Sequence, residues 1–365
     1  MNTNPSAIVG GGVSGLYAAS LLASREVPVT LFESRTTLGG RALSVARTGD
    51  EHGPTAFFDL GPAWFWPDAQ PSITRLASEL GLQVFAQYST GAMRVERFRL
   101  EAPQSFVPDD GTVPDAMRFR DGVQSLVSAL AARLPGDAVQ LSSRVVRIAR
   151  HSSGGVALTL ADGRSQIARA AILALPPRLI ASGITFDPPL SNEVMQLLRA
   201  TPTWMAPHAK MLAVYPTPFW REDGYSGMVS SFVGPLGEIH DASPETGLGA
   251  LFGFFGIGAG ARTAIGEAAL RERVIAQLVR LFGARAASPT AMYFKDWATD
   301  TDSTTPADLE PAVLPHGPGG ALFAAGQWDG CLVFAGAESS PEHPGYLEGA
   351  VRAGERAADV LLNKR

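Results

Sequence analysis

The sequence predicts an α/β fold in two interleaved domains, and three observations carry the prediction. A strand, a glycine-rich turn, a helix and a second strand follow one another within the first 33 residues. Strand-like apolar runs return near 145, 172 and 332, so the first domain is completed by segments far apart in the chain. Alternating runs around 210 and 250 and a helical stretch at 267–282 lie between them and form a second, mixed-sheet unit. With 365 residues, 45% hydrophobic and 18% charged, the chain can bury two ordinary cores.

Residues 7–10, AIVG, read as a short buried strand, and GLYAASLLAS reads as a helix with Leu16, Ala19 and Leu22 or Ala23 at helical spacing. Between them Gly10, Gly12 and Gly15 form GxGxxG. The first allows a tight turn, the second lets the backbone approach a pyrophosphate, and the third lets helix and strand pack closely. Ser14 lies in the same turn, and the helix N-terminus turns unpaired N–H groups and a partial positive charge toward phosphate. The next strand, VPVTLFES, ends at Glu33, 18 residues beyond Gly15, where a carboxylate meets a ribose hydroxyl. An acid there, rather than an arginine, disfavours the 2′-phosphate of NADP.

RTTLGGR, from Arg35 to Arg41, follows directly. Gly39 and Gly40 permit close backbone approach, and Arg41 carries a permanent charge suited to a diphosphate. Residues 58–66, FDLGPAWFW, come next. Further on, VALTLAD and SQIARAAILALPP read as a strand pair about the turn at Asp162-Gly163. MLAVYPTPFW and GALFGFFGIGA read as sheet strands, and EAALRERVIAQLVRLFG as an amphipathic helix ending at Gly283. Residues 299–320 read as a long loop over the cofactor side. In the last stretch Leu347, Val351, Gly354, Ala358 and Leu361 recur every three or four residues, a helix with one apolar face.

With GxGxxG, the acid, LGGR and DLG plus an aromatic all in order, the chain resembles the flavin-dependent amine oxidases, the monoamine oxidase and polyamine oxidase superfamily. The resemblance runs nearly end to end. It implies a Rossmann-like FAD-binding domain at 1–66, 116–182 and 288–365, and a substrate-binding domain at 67–115 and 183–287, shortened relative to the family. It also implies that Gly10, Gly12, Ser14, Gly15, Glu33, Gly40 and Arg41 hold the dinucleotide, that Gly61, Pro62, Ala63 and Trp64 pass the flavin ring, and that Val145 meets adenine through its backbone. Trp297, Gly336, Glu338, Tyr346 and Leu347 complete the cofactor set, with the C-terminal helix directed at the flavin.

Only three lysines occur, Lys210, Lys295 and Lys364. Lys210 opens a run that is apolar on both faces, where a lysine is expensive unless paired or functional. In the resembled family the lysine at this place holds a water against flavin N5, which makes Lys210 the catalytic candidate. Members with covalent FAD use a cysteine where this chain has Pro306, so the resemblance implies non-covalent FAD. The following position, one wall of an aromatic cage in many amine oxidases, is Ala307. Tyr346 is then the remaining wall, with Trp64 and Trp66 as further substrate-binding candidates through cation–π contact or packing.

The activity implied is oxidation of a small amine, with hydride passing to FAD and oxygen as acceptor. A desaturase or biosynthetic dehydrogenase acting on a non-amine is the alternative, and a non-catalytic FAD-binding protein a more distant one, since a fold does not dictate a reaction. A net charge of -5 and no basic run argue against nucleic acid. One cysteine, Cys331, excludes an internal disulfide, and the histidines show no metal-ligand spacing. Without a leader-like segment or an apolar run of membrane length, a cytoplasmic protein with no membrane anchor is expected.

Overall fold

Ser6–Val9 is buried along its whole length, as befits a strand covered on both faces of a parallel sheet. The computed structural model describes residues 4–47, 55–109, 115–152, 154–245, 247–309, 323 and 326–363. The first strand lies at the centre of a five-stranded parallel sheet ordered Leu332–Phe334, Ala170–Leu173, Ser6–Val9, Val29–Phe32 and Val139–Gln140. Ile8 stands between Ile172 and Leu31. The helix Val13–Ala23 is buried nearly all round, because it packs against the C-terminal helix Leu347–Leu362 as well as against the helix Gln124–Ala131. A Cβ on Gly354 would lie 2.6 Å from the Ser14 carbonyl oxygen, so this glycine sets how closely the two long helices approach.

The run SQIARAAILALPP does not form one strand. Ser165–Ala168 pairs antiparallel with Val156–Leu160, the hairpin expected about Asp162-Gly163, whereas Ala170–Leu173 joins the parallel sheet. Burial separates the two halves: Ser165–Ala168 is mostly open on one side, while Ala170–Leu173 is buried throughout. The hairpin belongs to a four-stranded sheet with Val145–Arg150 and Thr185–Asp187.

The third sheet has seven strands, in the order Ala291–Asp296, Ala209–Tyr215, Gly249–Phe255, Leu236–Asp241, Tyr225–Ser231, Ala92–Glu96 and Gln104–Phe106. Ala209, Met211, Ala213 and Tyr215 turn to the amphipathic helix Glu267–Phe282, meeting Leu270, Val274 and Leu278. Leu212 and Val214, on the opposite face, pack with Phe58 and Leu60. Strand alternation thus aims every second residue of this sheet at the segment following Arg41.

The sheets divide the chain somewhat differently from 1–66, 116–182 and 288–365. Thr185–Asp187 pairs with Val145–Arg150, and Ala291–Asp296 completes the seven-stranded sheet. The helix Pro71–Glu79 packs its Ile73, Leu76 and Ala77 into the core of the dinucleotide domain. Part of the 299–320 loop, from 310 onward, and Lys364 lie outside the described residues.

Candidate active site

A continuous cavity of about 950 Å³ runs from the glycine turn to the face of the seven-stranded sheet, large even for a cofactor site, for which about 300–1,000 Å³ is usual. At one end lie Gly10, Gly12, Ser14, Glu33, Gly40 and Arg41. The buried Glu33 carboxylate accepts the Gly11 N–H at 2.7 Å and the Arg35 N–H at 2.8 Å, so it stands fixed beside the turn. Ser14 donates its hydroxyl proton to the Ala335 carbonyl, tying the first helix to the C-terminal strand. Arg41 grips Glu338 through two hydrogen bonds of 2.5 and 3.1 Å. A guanidinium has five N–H donors, so donors remain for an anion. Carboxylate, glycine turn, helix N-terminus and arginine together fit an adenine dinucleotide without a 2′-phosphate.

The cavity continues past Gly61, Pro62, Ala63 and Trp64 to Lys210, Trp297, Gly336, Tyr346 and Leu347, and Trp66 also lines it. Gly15, Val145 and Glu338 do not. A Cβ on Gly15 would meet the Gly10 carbonyl oxygen at 2.0 Å, which is a helix–strand packing role. Val145 is buried in the core beneath the four-stranded sheet, and Glu338 acts through Arg41.

Lys210 is 2% exposed. Its ammonium donates to the carbonyls of Asp59 at 3.2 Å and Gly61 at 2.7 Å and lies 4.3 Å from the centre of the Phe252 ring. Burial pulls its pKa from 10.5 down to about 7, the nearby Asp59 opposing and Arg118 assisting. The Leu60 carbonyl between its two acceptors receives the indole N–H of Trp297 at 3.1 Å. Residues 59–61, which border the cavity, are therefore held by side chains from the opposite sheet.

Register places more groups beside the lysine. Lys210, Phe254 and Glu238 are direct partners across three neighbouring strands, and Leu212, Phe252 and His240 form the next row, so all six side chains share the face turned to the cavity. Glu238, whose side chain is 57% exposed, is hydrogen-bonded to His240 at 2.5 Å, a contact that holds its carboxyl below the usual range. His208 also lines the cavity, and burial and the Arg262 charge push its pKa below the ordinary value, with Glu238 opposing. Rings form the remaining wall: Trp64, backed by Phe252 at 5.2 Å, is followed by Trp66, Tyr346 and Trp204 with centroids 6.4, 6.3 and 4.5 Å apart.

Trp204 is the notable addition. Ala307 leaves Tyr346 without the expected opposite wall, and Trp204, from the turn before the lysine strand, packs its ring on Tyr346 instead. Asp308, next to Ala307, accepts the Thr203 N–H at 2.9 Å and so fixes that turn. Glu238 and His240 were legible in principle, because GEIH alternates small or apolar with polar residues as a strand with one polar face does. Trp204 carried no local signal, since its partner is 142 positions away. Cys331 is partly buried against the core beneath the four-stranded sheet. Among the described residues no cluster of metal-ligating side chains occurs, and no helix is long and apolar enough to cross a membrane.

Residues 8–80 match the NAD(P)-binding Rossmann-like domain. An L-amino acid dehydrogenase of Synechocystis is 33% identical over 256 residues, 69% of this chain and 52% of the relative. Amine oxidase [flavin-containing] A of Bos taurus is 26% identical over an alignment covering 98% of this chain and 84% of the relative. The chain spans about half the length of the curated relatives it matches at a third or more identity. A solved structure of putrescine oxidase bound to putrescine superposes with a TM-score of 0.82 at 23% identity, covering 99% of both chains, and shows the same fold. Residues 95–362, which include Lys210, Trp204, Tyr346 and the C-terminal helix, match the flavin containing amine oxidoreductase family; the chain belongs to that family.

Proposed function

We propose that the protein binds FAD non-covalently and oxidises a small amine at the carbon next to nitrogen. One observation carries the reading: a buried lysine with a pKa of about 7 stands where the dinucleotide cradle opens into an aromatic chamber. FAD bound here would accept a hydride at N5 from that carbon, the imine would hydrolyse, and oxygen would return the cofactor to its oxidised form as hydrogen peroxide. The protein's part is orientation, exclusion of water and placement of a proton carrier. A neutral Lys210 amine has two N–H groups, which the carbonyls of residues 59 and 61 can take, and one lone pair left to hold a water or a proton. The tryptophans and Tyr346 present flat apolar surface to the substrate.

Glu238 shapes the substrate choice. It is a carboxylate in a mostly apolar chamber, two strands from Lys210, which is about 10 Å at ordinary strand spacing. An amine whose far end carries a second cation or a hydrogen-bond donor suits this arrangement, putrescine among the simplest. Glu238→Gln should raise KM for a diamine roughly tenfold or more while leaving KM for an apolar monoamine of similar length within twofold, read from steady-state kinetics. Equal effects on both would remove Glu238 from substrate recognition.

The test of the reading is an anaerobic screen. Amines should bleach the flavin band of the purified yellow protein, and admitted oxygen should restore it with one equivalent of peroxide. Bleaching without rapid reoxidation would identify a dehydrogenase, an outcome that the resemblance to an L-amino acid dehydrogenase makes worth measuring. Failure of every amine to bleach would refute amine oxidation. Acid precipitation of the same protein should leave its flavin in the supernatant; colour in the pellet would refute non-covalent attachment.

A further inference from the structure

The segment after Trp297 crosses the ribose-binding end of the cavity, and charge holds it there. Both of its ends are fixed. The Trp297 backbone N–H bonds the His208 carbonyl at 3.0 Å, and the Thr304 hydroxyl bonds the Trp297 carbonyl at 2.8 Å. Between these points Asp300 takes a hydrogen-bonded ion pair from Arg35 at 2.5 Å and a second from Lys295 at 2.6 Å. Arg35 also donates to Ser303 at 2.7 Å, and Ser34 donates to Asp302 at 3.0 Å. Asp302 is held from a third direction by Arg144.

The placement of these contacts matters. Arg35 and Ser34 directly follow the ribose-binding candidate Glu33, and Asp302, Ser303 and Thr304 line the main cavity beside it. Asp300 does not line that cavity. It faces a separate outer cleft, shared with Arg35 and Lys295. Side-chain exposures of 18% for Arg35 and 11% for Asp300 leave the pair largely shielded from water, where a charge pair is worth more than on an open surface.

We infer that residues 298–303 form a strap across the adenosine half of the bound cofactor, that Asp300 is its positioning residue, and that breaking the Arg35–Asp300 pair is the step limiting cofactor release. The inference rests on the FAD reading above. A cofactor lying against Glu33 can leave only when Asp302 and Ser303 move away, and these two are tied to Ser34 and Arg35. Asp300 thereby controls escape without touching the ligand. Loosening the strap opens a way out without removing a contact to the ligand, so its effect falls mainly on the dissociation rate.

The test is the rate at which FAD-loaded protein loses flavin after dilution, followed as the rise of free-flavin fluorescence. Asp300→Asn should release FAD about tenfold faster or more. Asp300→Glu should recover most of the slow rate, which a purely structural lesion would not do. Asp329→Asn, which breaks the exposed Arg150–Asp329 pair, should match the wild type.

Equal rates in wild type and Asp300→Asn would overturn the strap, as would a tenfold effect that Asp300→Glu fails to reverse. A chain that takes up no FAD would refute the cofactor reading and the strap together. Uptake with unaltered release would refute the strap alone.

Discussion

Lys210→Met should retain FAD and fold normally while flavin turnover falls by about 10²–10³-fold, within the range for loss of a proton carrier. Methionine keeps an unbranched apolar stem of nearly the same length against Phe252 and Phe254, with sulfur in place of Cδ, and removes the nitrogen, so the loss reports the amine. The defect belongs to flavin reduction or to reoxidation, and stopped-flow measurement of each half-reaction separates them. In the wild type the affected step should titrate near pH 7, the pKa to which burial brings this group, and the variant should lose that inflection. Unchanged rates in both half-reactions would remove Lys210 from the chemistry.

The same substitution has a stability signature of predictable sign. In the unfolded chain Lys210 titrates at its ordinary 10.5, in the folded protein at about 7. Between those values the unfolded state binds more protons, so this group's penalty on the wild type is full below pH 7 and fades as pH rises toward 10. Lys210→Met should therefore raise Tm most at pH 7 and below, with the advantage shrinking on the alkaline side. A native lysine that lowers stability at neutral pH is what a site selected for reactivity looks like.

Glu33→Ala should weaken FAD binding by roughly 10- to 100-fold, the loss expected when a charged hydrogen-bond acceptor is removed. Its two backbone donors, at Gly11 and Arg35, would lose their acceptor. Both hold the geometry of the turn, so the variant combines a lost ribose contact with a looser cradle. Glu33→Gln keeps an acceptor without the charge and should fall between alanine and wild type. Flavin retained through gel filtration and the Kd from titration of the apoprotein decide this, and full occupancy in the alanine variant would overturn the ribose assignment.

Much of the dinucleotide end was legible in the sequence because its determinants are local. Gly10, Gly12 and Ser14 sit within one turn, Glu33 ends the following strand, and Arg41 lies eight residues on, so spacing alone brings them to one place. The C-terminal helix was legible for a related reason, its apolar stripe being periodic. Where local pattern was ambiguous the reading slipped. SQIARAAILALPP looks like one strand, yet Arg169 divides it between two sheets according to which half is buried from both sides. Gly15 packs the helix on the strand, as the third glycine of the turn is expected to, and Glu338 holds Arg41.

The substrate end is different in kind. The sequence by itself established a dinucleotide cradle, an isolated lysine in an apolar strand and a set of tryptophans without an address. Only the tertiary structure decided that Lys210 points at the carbonyls of residues 59 and 61, that Glu238 and His240 share its face, that Trp204 closes on Tyr346 and that Asp300 meets Arg35. Each of these pairs joins residues tens to hundreds of positions apart, and no periodicity records a contact made across strands or between domains. Short-range order is written in spacing; the depth of a charge and the identity of its neighbours exist only once the sheets have closed around it.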